Sequence, residues 1–314
     1  MVDFCWFTLG SYIQIPYPLR IRTFNQDADM ANILLVANLN CDRVLQLPAA
    51  LHTGGRFYYQ EQGIRLGGGG ANTGIGLVWA EHCVQLVSQV GNDDKGDWLL
   101  KEAISHGVDC HQVQRHGGMT CEMLLMMAPD GERTILRPMR VPLTLPIMPD
   151  WKNIDVLYVN SSAEGLGQWT AEAMIDCLVV TQLAKDNRRR DAHVLITSES
   201  DFKGRCQQSP WLFARDIAGM QLQYFIVTDG GLGAKLYTPT GMIQVSARQA
   251  KVCDTTGAGD AYAAGLIHGL TKGDNIDTAM QEAAIWSTFS VASQTSIPGV
   301  GLKQYLQNEG TLGY

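Results

Sequence analysis

The sequence has no excess of basic residues: 24 Lys and Arg stand against 31 Asp and Glu, a net charge of −7 over 314 residues. Nucleic-acid binding runs on phosphate neutralisation by clustered Lys and Arg, so this balance argues against it. The one basic cluster, Arg188-Arg189-Arg190, falls where a helix is expected to end and reads as cations favoured by the helix dipole. No apolar run approaches the length of a membrane helix. The eight cysteines form no Cys-x-x-Cys pair and no zinc spacing. With no secretory signal either, reduced thiols in a cytoplasmic protein are the expectation. The chain also lacks the Gly-x-Gly-x-x-Gly of dinucleotide-binding folds and the Gly-x-x-x-x-Gly-Lys-Ser/Thr of P-loop NTPases.

What is there fits a folded enzyme: 46% of residues are hydrophobic, enough for a substantial core. Residues 1–29 have neither the basic start nor the apolar centre of a signal peptide and read as an extension. The domain is expected to begin at Met30, with residues 30–314 as one unit. Short apolar strands at 32–37, 84–88, 155–160, 193–197 and 223–228 alternate with helical stretches at 71–82, 96–106, 168–186, 258–271 and 275–292. That alternation predicts an α/β fold, a mostly parallel sheet covered by helices on both faces. Residues 42–66 and 119–138 break the rhythm. They read as strands without helices, the second as a hairpin around Pro129-Asp130-Gly131, and together predict a small β lid.

Two glycine stretches carry the chemistry. "LGGGGANTG" (66–74) reads either as a flexible turn or as a site: its glycines let backbone N–H groups approach a ligand, and Asn72 offers donor and acceptor at a helix start. In "DTTGAGD" (254–260) a strand-like run leads through Gly257, Ala258 and Gly259 straight into a helix. Unpaired N–H groups and the positive end of the dipole meet there, which makes an anion site. Asp260 sits in the first turn; a dipole worth about 1 kcal/mol would lower its pKa by under one unit. A carboxylate base beside an anion cradle is what phosphoryl transfer to an alcohol requires.

These stretches resemble a known family. "DTTGAGDAYAAG" resembles the C-terminal signature of the ribokinase-like, or pfkB, carbohydrate kinases. "GGGGANTG" followed by "VQLVSQVGNDDKGDWL" is similar to the N-terminal signature, and "VTDGGLGAKLY" (227–237) to the nucleotide-binding segment. The resemblance implies a ribokinase-like three-layer core with a β-sheet lid, and ATP with Mg²⁺ as phosphate donor. It implies Asp260 as catalytic base and Gly257, Ala258 and Gly259 as the anion hole. Asp42, Gly69, Gly70 and Asn72 correspond to the sugar contacts, and Thr228, Gly230, Gly233 and Thr255 to the nucleotide contacts.

The chain departs from that family in three places. The Asn-x-x-Glu segment that organises magnesium has no clear counterpart; the nearest text is Ser198-Glu199-Ser200-Asp201, which makes Glu199 and Asp201 the metal candidates. The stretch between the strands at 155–160 and 223–228 reads about one strand-helix unit short. A monovalent-cation site, such as one for K⁺, has Asp254 and Thr256 as candidates, but "VASQTSIPG" lacks the expected glycine. Arg133 and Arg137, beside the Gly131-Glu132 hairpin, have the reach to meet a substrate phosphate from the lid, but they read first as solvated strand charges; no convincing basic clamp for a substrate phosphate is visible, which points to an unphosphorylated sugar. The end of the strand "VLYVN", with Asn160, Ser161 and Ser162, is where specificity is expected. His106, His111 and His116 change face every five residues and cannot share a metal locally. Trp79, Trp98 and Trp286 read as core or interface anchors.

The sequence therefore points to an ATP-dependent kinase of a small ribose-, fructose- or ketodeoxysugar-like substrate. A nucleoside kinase and a catalytically silent sugar- or nucleotide-binding relative are the alternatives, and the lid's outer face is a candidate for homodimer contact.

Overall fold

A computed structural model describes residues 30–129, 133–186 and 188–312. The expected extension, residues 1–29, and the hairpin turn at Asp130-Gly131 lie outside the described residues. From the N-terminus, β1 (Asn32–Ala37) leads into two lid strands, β2 (Asn40–Gln46) and β3 (Gln60–Gly67). Then come α1 (Gly69–Trp79), β4 (Cys83–Gly91), α2 (Asp94–Ser105) and β5 (Val113–His116). The chain returns to the lid with β6 (Glu122–Met127) and β7 (Arg133–Leu136). The core resumes with β8 (Val156–Asn160), α3 (Leu166–Ala173), β9 (Leu178–Gln182) and β10 (Val194–Ser198). It continues through α4 (Glu199–Phe202), α5 (Pro210–Ala218), β11 (Tyr224–Thr228), β12 (Ala234–Thr238) and β13 (Gly241–Val245). Three helices close it: α6 (Ala258–Thr271), α7 (Ile276–Val291) and α8 (Val300–Leu312).

The main sheet has nine strands in the order β13-β12-β11-β10-β9-β8-β1-β4-β5. From β11 to β5 every neighbouring pair is parallel, and β12 and β13 are added antiparallel at one edge. Strands in such a sheet are buried on both faces and read as continuous apolar runs. In β1, Ile33, Leu35 and Ala37 enter one core while Leu34 and Val36 enter the other. The helices α1, α6 and α7 cover the first face and α3 and α5 the second. The lid is a separate four-stranded sheet, β3-β2-β6-β7, in which β2 and β6 run parallel and the outer pairs antiparallel. The α/β core and the two-part lid match the expectation.

The helix expected at 168–186 is where the fold differs most. It ends at Ala173, and Leu178-Val179-Val180-Thr181 form a strand buried on both faces. β-branched residues packed between β8 and β10 outweigh a helical reading here. Consequently Arg188, Arg189 and Arg190 do not end a helix. They lie in the β9–β10 crossover, where Arg188 pairs with Asp186, Arg189 with Asp191, and the buried Arg190 donates to Ser162 Oγ at 2.9 Å. No helix is described in that crossover.

Helix α6 is buried on nearly all sides because α7 and α1 press close to it. A Cβ at Gly265 would come within 2.8 Å of the Trp286 ring and 2.9 Å of the Ala283 backbone, and one at Gly269 within 2.8 Å of Ala279 Cα. Trp286 is fully buried, stacks on His268 at 5.3 Å and donates its indole N–H to Glu282 at 2.6 Å. Trp79 and Trp98 pack partly buried against the same core. Trp286→Ala should destabilise the fold by about 3–5 kcal/mol, read as a lowered midpoint in urea unfolding.

Candidate active site

The order in which strands are added reverses at β1, which lies between β4 and β8: the sheet grows to β5 on one side and then to β11 on the other. In open α/β sheets the crevice beyond the carboxyl ends of the strands at such a reversal is where ligands bind. Asn160 at the end of β8 sits opposite Ala37 at the end of β1, and Asn38 follows directly. The starts of α1 and α6 converge on the same spot.

Asp260, in the first turn of α6, is held from both sides. Asn160 Nδ2 donates to its Oδ1 at 2.9 Å and Asn72 Nδ2 to its Oδ2 at 2.8 Å. Thr73 Oγ1 donates to its main-chain carbonyl at 3.2 Å. Burial pushes the Asp260 carboxyl above the ordinary carboxylate value; the two amides and the charge of Arg133 oppose this without cancelling it. Loss of water thus outweighs the lowering expected from the helix dipole. The turn before it depends on Gly257, whose φ is +82° and whose Cβ would lie 2.2 Å from the Ser296 carbonyl. Ala258 N–H makes only a long 3.4 Å contact with the Thr255 carbonyl, and a side chain at Gly259 would meet nothing within 4 Å. The amide end of α6 therefore faces open space beside the carboxylate.

The lid supplies the opposite wall. Asp42 in β2 is 3% exposed, and its Oδ1 has no hydrogen-bond partner among the described residues. Burial, opposed by Arg65 and Arg140 and helped by Asp260 and Asp254, pushes its pKa up to about 7. Gly67 lies against this carboxylate: a Cβ there would fall 2.1 Å from Oδ2. Arg133 donates from β7 to Thr255 Oγ1, so it is a pocket residue and not the solvated strand charge that its sequence suggested. Arg137 is exposed.

The sequence candidates separate into groups. Asp260, Asn72 and Gly69 meet: a Cβ on Gly69 would sit 2.4 Å from Asn160 Nδ2 and 3.4 Å from Asp260 Oδ1. Asn72 turns its amide to Asp260, and its Oδ1 has no partner among the described residues. Gly70 faces away, toward Leu86 and the Asn38 carbonyl. Its lack of a side chain serves packing. Thr228, Gly230 and Gly233 form a turn beyond β11, in which Asp229 N–H bonds the Gly233 carbonyl at 2.7 Å and Gly233 lies against the Val245 carbonyl. Beside this turn, between β13 and α7, is a cavity of about 430 Å³ whose walls include Val245, Ser246, Arg248 and Gln281.

Of the metal candidates, Asp201 pairs with Lys185 and Glu199 lies 3.7 Å from Lys235 Nζ. Among the described residues no three His, Cys, Asp or Glu side chains gather to hold a metal. Mg²⁺ commonly takes one or two carboxylates plus substrate phosphates, and the less tightly paired Glu199 fits that pattern. Asp254 already has a cationic partner, Arg65 Nη2 at 2.8 Å.

Sequence reasoning missed Arg65 and Arg140, and treated Asn160 only as part of a specificity-bearing strand end. Arg140 donates to Asn40 Oδ1 at 2.6 Å, and burial works against its charge. No spacing signal marks either arginine. Arg65 does stand next to the glycine run, the one local hint of proximity.

The model of the pfkB family carbohydrate kinases matches residues 32–163 and 169–300. The chain is 26% identical to the ATP-dependent ribose-1-phosphate kinase of Halopiger xanaduensis, covering 81% of this chain and 90% of that protein. It is 25% identical to the aminoimidazole riboside kinase of Salmonella typhimurium, covering 70% of this chain and 78% of that protein. The ribokinase of Cryptococcus neoformans var. grubii serotype A, solved in complex with ADP, superposes with a TM-score of 0.71 at 20% identity. That match covers 88% of this chain and 99% of the ribokinase.

An acid whose folded pKa is raised binds its proton more tightly in the folded state, so stability declines as pH climbs from the unfolded value toward the folded one. For Asp42 that window runs from about 4 to about 7. Asp42→Asn removes the buried charge. Its melting temperature should exceed that of the parent protein by several degrees at pH 8, and the gap should close by pH 4.5.

Proposed function

The chain belongs to the pfkB family of carbohydrate kinases, and from that premise we propose that it transfers the γ-phosphoryl group of ATP to a hydroxyl of a small sugar, with Asp260 as general base. The observation that carries this reading is the Asp260 carboxylate, fixed between Asn72 and Asn160 at the open amide end of α6. The two amides set the plane of the carboxylate, so a sugar hydroxyl entering the crevice meets an oriented acceptor for its proton. Its raised pKa strengthens it as a base. Asp42, whose buried Oδ1 has no partner among the described residues, accepts a second sugar hydroxyl and holds the ring. The amides at Gly257, Ala258 and Gly259 and the dipole of α6 stabilise negative charge on the moving phosphoryl group.

The turn at Thr228, Gly230 and Gly233 and the neighbouring cavity are assigned to the nucleotide, with Thr255 at its phosphate end. A cavity of about 430 Å³ lies in the size range of small-molecule sites. Mg²⁺ would supply charge neutralisation on the nucleotide phosphates, with Glu199 as the assigned carboxylate and Asp201 held by Lys185. Residues 30–314 are read as one catalytic unit with the lid inserted. A cytoplasmic setting is in keeping with the cysteines of the described residues, all of them unpaired. For a homodimer, the exposed Ile64 and Leu136 offer apolar contact on the lid.

A second reading of the substrate has its own support. The hydrogen-bond acceptor described for the half-buried Arg140 is the neutral Asn40 amide, which leaves guanidinium donors for an anionic group on the sugar. A substrate panel separates the readings. Ribose, deoxyribose and fructose test the free sugar, ribose 1-phosphate and 5-dehydro-2-deoxygluconate the anionic one, and aminoimidazole riboside and inosine the riboside. Turnover of none of them with ATP would sink the kinase assignment. For the base, Asp260→Asn should lower kcat by about 10²–10⁴-fold while sugar affinity by calorimetry stays within a few fold. Undiminished kcat would remove Asp260 from the reaction.

A further inference from the structure

Arg65 lies directly opposite Asp42 in the β2–β3 ladder, so both side chains leave the same face of the lid. Its Nη2 donates to Asp254 Oδ2 at 2.8 Å and its Nη1 to the Gln294 carbonyl at 2.7 Å. One guanidinium thus joins three segments: the lid, the loop entering α6 and the loop leaving α7. The other Asp254 oxygen accepts Thr256 N–H at 2.8 Å, which fixes the backbone just ahead of Gly257. Both partners are withdrawn from water, the side chains of Arg65 and Asp254 being 14% and 5% exposed. A carboxylate withdrawn from water is costly unless a cation accompanies it. Asp254 can therefore brace this turn only with a positive charge beside it. A dissolved cation would serve only while bound; a tethered guanidinium serves always, and its planar fork reaches a carboxylate and a carbonyl at once.

We infer that Arg65 is the built-in counter-cation of the 254–259 turn, a positioning residue that fixes the amides facing the phosphoryl group and frees the protein from any need for a dissolved monovalent cation such as K⁺. Its catalytic half rests on the kinase reading; its structural half rests on the contacts alone. The same side chain neighbours Asp42, so it also ties the sugar side of the pocket to the phosphate side.

The test compares the parent protein with Arg65→Ala and Arg65→Gln, with Mg²⁺ present throughout, in buffer whose only monovalent cation is tetramethylammonium and again with added K⁺ or dilute guanidinium. Melting temperature is read without substrates, and kcat and KM are read with the sugar found in the panel. The parent protein is expected to melt and turn over alike in all three buffers. Arg65→Ala is expected to lose at least about tenfold in kcat, with sugar KM changed less, since loosened amides donate poorly to the transition state. K⁺ or guanidinium should restore part of that loss and raise the variant's melting temperature by about 2–4 °C. A K⁺ requirement in the parent protein overturns the inference. So does an Arg65→Ala protein that keeps full kcat, or one that folds, turns over slowly and responds to neither cation. Should Arg65→Ala fail to fold, Arg65→Gln, which keeps donors and drops the charge, decides by the same readouts. A parent protein inactive on every sugar would sink the kinase reading, while the melting comparison would still decide what replaces the cation at Asp254.

Discussion

One carboxylate gripped by two amides organises this molecule. Asp260 can be held by Asn72 and Asn160 only if α1, α6 and the end of β8 arrive at one point within hydrogen-bond distance. Each arrival imposes a demand on the sequence. The α1 backbone must pass close over the Asn160 amide that grips the carboxylate, so Gly69 carries no side chain. The α6 backbone must turn sharply into the helix, so Gly257 adopts positive φ against the Ser296 carbonyl. The rest of α6 must not move, so Gly265 and Gly269 let α7 approach to backbone contact. The buried, glycine-rich character of this helix follows from the need to keep one acidic group still and partly dry.

Much of this was legible in the sequence, for physical reasons. The 257–260 turn is local: glycine, dipole and carboxylate lie within four residues, so spacing alone exposes their meeting. Helix α6 was placed with the correct ends because its start is a glycine cap and its interior uniformly small or apolar. Parallel strands read as continuous apolar runs, which made β1, β8, β10 and β11 visible.

What escaped depends on distance along the chain. Asp254 and Arg65 are 189 positions apart, and Arg133 and Thr255 are 122 apart; no local pattern announces such a pairing. Strand β9 was hidden because apolar or β-branched residues separated from a helix by only four positions extend a helical reading until neighbouring strands claim them. Glu199 and Asp201 were named in the sequence as residue types only; their lysine partners come from β12 and from the stretch after β9, and sequence order says nothing about that meeting.

The lid also has unusually short tethers. Only Asn38 and Leu39 separate β1 from β2, and only Gly68, at φ +84°, separates β3 from α1. A flap on such tethers cannot drift independently of the body that carries it. Rotation at Gly68 levers the first turn of α1, and that turn bears Asn72, one of the two grips on Asp260. Any displacement of the lid would therefore be felt at the orientation of the Asp260 carboxylate, much as a latch is geared to its handle.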